Sequence, residues 1–398
     1  MTEYDVVDTP EKFHEAVDAL RSGTGPVAVD AERASGFRYS QRAYLIQMFR
    51  RESGVFLFDP PAIGDFHELQ DAVGAVPWIL HAASQDLACL REVGLDPETV
   101  FDTELGARLL GFPRVGLATI VEELLGVHLA KEHSAADWST RPLPQPWLTY
   151  AALDVELLVD LMEAEQRLLT DARKEPIAEQ EFAYELARAP KAARAEPWRR
   201  LSGVHSIRGL RNLAVARELW NARDELARAK DVAPGRLLPD ASITAVARAI
   251  PATKRDLSAT REFTGRASRT EIDLWWDAIS RGRTTQDLPV LRASGESIPP
   301  PRAWADRNPE ANLRLRAARA SLVDLAAELE LPVENLLSPE TLRRLAWAPP
   351  EQIDEGSIAA AMQDAEARPW QIAATAARVA EAFVEAGQSA VEAPESAS

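Results

Sequence analysis

Cysteine is nearly absent. Cys89 is the one thiol in 398 residues, which excludes a disulfide framework and a cysteine-built zinc cluster and fits a reducing compartment. No apolar run reaches the roughly 18 residues that a membrane-spanning helix needs. The opening MTEYDVVDTPEKFHEAV carries acids where a secretory signal carries basic and then apolar residues. These absences predict a soluble, cytoplasmic protein with no membrane partner. Positive charge is also short: the formal net charge is −17, and a uniformly acidic surface repels phosphates. The deficit is uneven, however. Residues 1–190 carry 16 basic and 33 acidic residues, 191–290 carry 19 and 12, and 291–398 carry 10 and 17, so only the middle segment can face a polyanion broadly. Apolar material is plentiful at 46% of the chain, enough for real cores in roughly two to four domains.

Helix-like EKFHEAVDAL is followed by three strand-like segments, PVAVD, AYLIQMF and GVFLFDP, with Gly and Pro punctuation. FHELQDAVG returns to helix, VPWIL is a strand leading into the helix SQDLACLREVG, and PWLTYAALDVELLVDLMEAEQRLL is a long helical run with Pro146 near its start. Three strands joined by short turns, then strands alternating with helices, predict a mixed α/β sheet. From about residue 175 strand patterns vanish and Ala, Arg, Leu and Glu at helical spacing take over. Laid on itself with an offset of 99, the chain matches LARAKDVAPGRLLPDASITAVARAIP (226–251) to LAAELELPVENLLSPETLRRLAWAPP (325–350). The shared scheme is a helix, a Pro-containing loop ending in Leu-Leu, and another helix, which predicts a duplicated helical unit. SIPPPRAW (297–304) reads as the linker between copies, and residues 389–398 as a disordered tail.

The stretch VAVDAERASGF (27–37) ends a strand-like run with Asp30 and Glu32. Side chains at i and i+2 share a face of a strand, so the two carboxylates would project together, a costly placement unless a cation is shared. The alternative is a pair of solvated turn acids. Asp86 follows a buried strand in the first turns of a helix, where the helix dipole favours an acid. Tyr150 and Asp154, four apart on a helix, lie on one face. Each has an adequate structural reading alone, but together they form a set that chemistry can use. Carboxylates on rigid elements can hold two divalent cations about 4 Å apart, which activate a water and stabilise the leaving oxygen of a phosphodiester. Oxygen-only ligation suits Mg²⁺ or Mn²⁺ rather than zinc. A tyrosine one turn from a metal-binding aspartate can then orient the attacking water.

Residues 25–170 resemble the catalytic domain of ribonuclease D, a member of the DEDD superfamily of 3′-to-5′ exonucleases. The resemblance is carried by VAVDAERASGFRYSQRAYLIQM, ILHAASQDLACL and YAALDVELL, with FDTELGARLLG and HSAADWSTRPLPQPWLTYAALD also in order and at family-like spacing. The tyrosine four residues before the last aspartate marks the subtype that uses Tyr rather than His. The resemblance implies a ribonuclease H-like α/β sheet of strand order 3-2-1-4-5. It casts Asp30 as bridging both metals, Glu32 and Asp154 as ligands of the metal that carries the nucleophile, Asp86 as acting on the second metal directly or through water, and Tyr150 as holder of the water.

Segment 198–251 resembles the helicase-and-ribonuclease-D carboxy-terminal (HRDC) domain, a small helical bundle. The implied architecture is an exonuclease domain (1–175) followed by two all-α HRDC-like bundles (205–290 and 305–388). Leu213, Leu219, Trp220 and Leu226 are expected in the first bundle's core, while Arg208, Arg211, Arg217 and Arg223 are candidates for phosphate contacts or a solvated arginine face. The second copy departs from the basic pattern and is expected to pack on the catalytic domain and shape access to the site.

Several nearby residues carry two readings. His81 is either a contact for the terminal nucleotide, as the family suggests, or a buried strand-end histidine. Asp102 is favoured as a helix cap over a fifth ligand. Trp138 and Arg141 either approach the substrate strand or serve packing and an ion pair. His128 and His133, without matching cysteines, make no credible zinc site. The implied activity is removal of mononucleotides from RNA 3′ ends in the maturation of tRNA or other stable RNA. The rivals are a DNA 3′-to-5′ exonuclease, since nothing in the motifs senses a 2′-hydroxyl, and a non-catalytic RNA-binding scaffold, which would have no chemical need for all five of Asp30, Glu32, Asp86, Tyr150 and Asp154.

Overall fold

A computed structural model describes residues 4–129, 135–189, 194–263, 265–291 and 298–392, with side chains described to residue 388. A six-stranded sheet organises the first part of the chain: β1 (Val6–Val7), β2 (Thr24–Arg33), β3 (Ala43–Arg51), β4 (Gly54–Phe58), β5 (Trp78–Leu80) and β6 (Val100–Asp102) lie in the order β1-β4-β3-β2-β5-β6. Counted from β2, this is the expected 3-2-1-4-5 order. The two-residue β1, absent from the sequence reading, adds a parallel edge beside β4. β2 pairs antiparallel with β3 and parallel with β5, so it is central. Both its faces are covered, as its apolar run requires. Val27 and Val29 join the core formed with Phe13 and Leu20 of helix Pro10–Ser22, while Ala28 packs with Val155 and Leu158 on the opposite side.

The long helical run is two helices, Gln145–Glu156 and Leu158–Asp171. The next helix, Glu175–Ala187, still belongs to the sheet's core: Phe182 packs on Phe101 with ring centroids 4.7 Å apart. This helix begins at residue 175, where the catalytic domain was expected to end.

Helices Leu210–Lys230, Asp240–Ala249 and Ile272–Thr284 build a unit with its own core of Trp198, Leu213, Leu219, Trp275 and Ile279; Trp220 and Leu226 pack against it, partly buried. A Cβ on Gly282 would stand 2.6 Å from the Val215 Cα, so the two long helices approach as closely as glycine allows. Helices Pro309–Glu328, Val333–Leu336 and Pro339–Trp347 each begin 99 residues after Leu210–Lys230, Pro234–Leu237 and Asp240–Ala249. The linker segment is anchored: Trp304 is buried and its indole N–H donates to the Pro299 carbonyl at 2.6 Å. The final helix, Pro369–Glu392, runs through residues 389–392, where a tail was expected; 393–398 lie outside the described residues, as does Ser297 of the linker. No described helix is long and apolar enough to cross a membrane.

Candidate active site

Asp30 and Glu32 stand near the end of β2, and helix Gln145–Glu156 crosses the same face of the sheet carrying Tyr150 and Asp154. Carboxylate oxygens of Asp30, Glu32 and Asp154 lie within 4.8 Å of one another. The strand's two-residue period puts Asp30 and Glu32 on one face, and packing of the helix against the strand brings Asp154 to them. Asp86 differs from its expected place. It sits between the turn Ala83–Gln85 and helix Leu87–Glu92, and its side chain caps nothing. The buried Asp86 carboxyl lies instead beside that of Asp30. The Tyr150 hydroxyl is hydrogen-bonded to Asp154. All five line one cavity of about 510 Å³, with His81, Arg33 and Glu104.

Burial and mutual repulsion dominate the electrostatics. Burial first, then Asp30, Asp154 and Asp86, push the Glu32 carboxyl up to about 10. Burial and then Asp30 push Asp154 up to about 8. Asp30 is raised chiefly by burial, Asp86 well above the usual range by burial and then by Asp30, and Tyr150 by burial and the neighbouring acids. Such a cluster holds protons until a cation replaces them. With every donor an oxygen, the set fits a hard divalent cation.

His81 follows β5 directly and is half-buried. It lines the cavity, its Nδ1 lies 2.9 Å from the Thr103 hydroxyl, and burial pushes its pKa down to about 4, so it is neutral. Asp102 caps helix Thr103–Leu109 and is no ligand; it does not line the cavity. It does more than cap. One oxygen accepts from the backbone N–H of Ala82, Glu104 and Leu105 at 3.0, 3.0 and 3.1 Å, and the other accepts from Ala83 at 2.8 Å. Ala82 has φ 63, a left-handed conformation that costs a non-glycine residue energy. Asp102 therefore fixes the strained turn from which His81 and Asp86 project. Sequence reasoning missed this because the partners are 19 and 20 residues apart.

Trp138 is fully buried against Trp147, and Arg141 is spent on Asp59 at 2.6 and 3.0 Å and on backbone carbonyls, so both are packing residues. His128 is exposed beside Glu122, away from the cavity, and His133 lies outside the described residues. Among the arginines, Arg223 is buried and donates to the Leu238 carbonyl and Asp240, which removes it from any phosphate. Arg211 is held by the Thr285 carbonyl and Arg217 by Asp287. Arg208 is exposed. None of the described residues lining the cavity comes from 298–392.

Comparison with known proteins agrees with this geometry. A family model described as 3′-5′ exonuclease matches residues 4–169, an HRDC domain model matches 212–279, and a model described as 3′ to 5′ exonuclease C-terminal domain matches 297–383. Ribonuclease D of Pseudomonas paraeruginosa is 30% identical over 283 residues, which cover 69% of this chain and 73% of that one. The chain belongs to the ribonuclease D family. Among solved structures, a protein from Bifidobacterium adolescentis is similar with a TM-score of 0.89 at 36% identity, covering 96% of this chain and 97% of its own. The Escherichia coli RNase D structure, described as an exoribonuclease involved in structured RNA processing, has a TM-score of 0.67 at 25% identity and covers 88% of this chain and 92% of its own.

Proposed function

We propose that this protein is a metal-dependent 3′-to-5′ exoribonuclease that releases mononucleotides from RNA 3′ ends, in the cytoplasm, during maturation of tRNA or other stable RNA. The convergence of Asp30, Glu32 and Asp154 within 4.8 Å carries the reading. Asp30, Glu32, Asp154 and Asp86 would hold two divalent cations, Mg²⁺ or Mn²⁺. Those ions, when bound, supply water activation and charge neutralisation at the phosphate. Tyr150, held by its bond to Asp154, orients the attacking water, and neutral His81 offers its second ring nitrogen to the terminal nucleotide. The helices from Trp304 onward are a diverged HRDC-like copy whose role is to support the catalytic unit.

The test is turnover of matched RNA and DNA strands with free 3′ ends. Stepwise release of nucleotides from RNA, abolished by chelator and by Asp30→Asn, is expected; full activity in chelator, no cleavage, or equal preference for DNA overturns the metal, the catalytic or the RNA part in turn. Tyr150→Phe should keep metal and RNA binding while turnover falls about 10² to 10⁴-fold. Because Asp154 holds its proton up to about pH 8 and must lose it to bind a cation, apparent metal affinity should rise as pH is raised through that range. Calorimetric titrations across pH would show it, and a flat profile would contradict the placement of Asp154 as a ligand.

A further inference from the structure

The strand period places Asp30 and Glu32 on the site face and would turn Arg33 away from it. The pairing of β2 with β3 shifts register between Glu32 and Arg33, where Arg33 lies opposite Ala43 and Tyr44 is the extra residue. The extra residue is on β3, and bulges of this kind terminate pairing beside functional sites. Arg33 here lines the same cavity as Glu32, and among the described lining residues it is the one arginine or lysine. Its guanidinium is anchored: Nη1 donates to the Gln85 carbonyl at 2.5 Å and Nη2 lies 3.3 Å from an Asp86 oxygen, with the side chain 24% exposed. A guanidinium has five N–H donors in a planar fork. The contacts to Gln85 and Asp86 use two and leave the rest for the cavity.

A cavity walled by five carboxylates repels the phosphates of an incoming strand, so a fixed cation at its wall serves substrate capture as well as the pairing of Asp86. The geometry points to Arg33 as a contact to a backbone phosphate of the RNA strand, beside the scissile group and separate from the metal ligands. The inference rests on the nuclease reading above and adds a substrate-contacting residue to it.

Binding of a short single-stranded oligoribonucleotide in Ca²⁺ across a salt series, for the parent, Arg33→Gln and Arg33→Lys, tests it. Each phosphate contact to a single strand contributes about 0.7 to the slope of log affinity against log salt. Arg33→Gln should make the slope shallower by about that amount and lower kcat/KM about 10-fold or more, while Arg33→Lys keeps the slope. Mn²⁺ binding measured by calorimetry on the same proteins separates the alternative. If Arg33 only braces Asp86, Arg33→Gln alters Mn²⁺ affinity and leaves the salt slope unchanged, which overturns the phosphate contact. A parent that turns over RNA while the variant's slope is unchanged overturns this inference alone; a parent that neither binds Mn²⁺ nor turns over RNA overturns the nuclease reading and this inference with it. Unaltered melting temperatures confirm that the variants are folded.

Discussion

Helices Leu210–Lys230 and Pro309–Glu328 open the same scheme 99 residues apart, yet the two helical units meet the catalytic unit in opposite ways. The first keeps a core of its own and rests on the β2–β3 loop through polar contacts. The Asp231 carboxylate accepts from the Ser40 N–H at 2.8 Å and the Tyr44 hydroxyl at 3.2 Å, Tyr39 donates to Asp224, and Arg236 donates to the Gly36 carbonyl and stacks on Phe37. The second has no separate core. Leu331, Leu336 and Phe383 belong to the same apolar cluster as Leu109, Ala178 and Phe182 of the catalytic unit. Its junction is also polar at depth: buried Lys174 donates to the Leu109 and Glu330 carbonyls, and buried Glu181 accepts from Arg368 and from the Trp370 indole. Charge divides the same way, net +7 for residues 191–290 and −7 for 291–398. One helical unit is thus a charged module hung on the loop that leaves the catalytic strand, and the other an apolar buttress continuous with the fold.

The largest effect that would break this contrast is at the buttress. Arg368 makes two bonds of 2.6 and 2.8 Å to Glu181, whose side chain is 5% exposed. Removing one partner of a buried pair strands the other charge, at a cost of about 3–5 kcal/mol. Arg368→Ala should lower the stability of the catalytic unit by that order in denaturant unfolding; a loss confined to the helices, with the sheet's transition unmoved, would show the buttress to be an independent domain. A smaller effect is expected at the hinge. Asp231→Ala leaves the Ser40 N–H and the Tyr44 hydroxyl without their partner in a half-exposed setting, about 1–2 kcal/mol. It should split the first helical unit's melting from the catalytic unit's in calorimetry, and a single unchanged transition would mean that the loop contacts do not couple them.

The same contrast measures what the sequence could say. Period-two and period-four spacing was enough to put Asp30 with Glu32 and Tyr150 with Asp154, because each pair lies on one regular element; that the two pairs meet was implied by the resemblance alone. The self-match at 99 residues located both helical units for the same reason. Asp86 was found but misplaced, since a left-handed Ala82 and a short turn displace the helix start. The Asp102 clamp, the aim of Arg33 and the burial of Arg223 were illegible: each depends on a partner or a register shift that only the assembled sheet or bundle supplies. Difference of attachment between the two units was equally hidden, because an apolar face says that it is covered and not by what.

The finest test concerns the charge difference. Of the arginines first suspected of touching RNA, Arg211, Arg217 and Arg223 are committed to contacts within the unit, so the salt-sensitive share of binding falls to exposed arginines that the structure leaves to solvent, among them Arg208, Arg255 and Arg266. Each should act as one phosphate contact at most, worth about 0.7 in the salt slope for a single strand. Replacing Arg208, Arg255 and Arg266 with alanine one at a time should flatten the slope in small, roughly additive steps without changing the melting temperature or turnover of very short substrates. The matched controls are Arg316 and Arg319 on the exposed face of the second unit, whose loss should leave the slope untouched. Equal flattening from both sets would mean that RNA reads overall charge, and the division of labour between the two units would fall. Flattening by Arg223→Gln, with the fold intact, would instead show that the buried arginine reaches solvent during binding and that the first unit opens to do so.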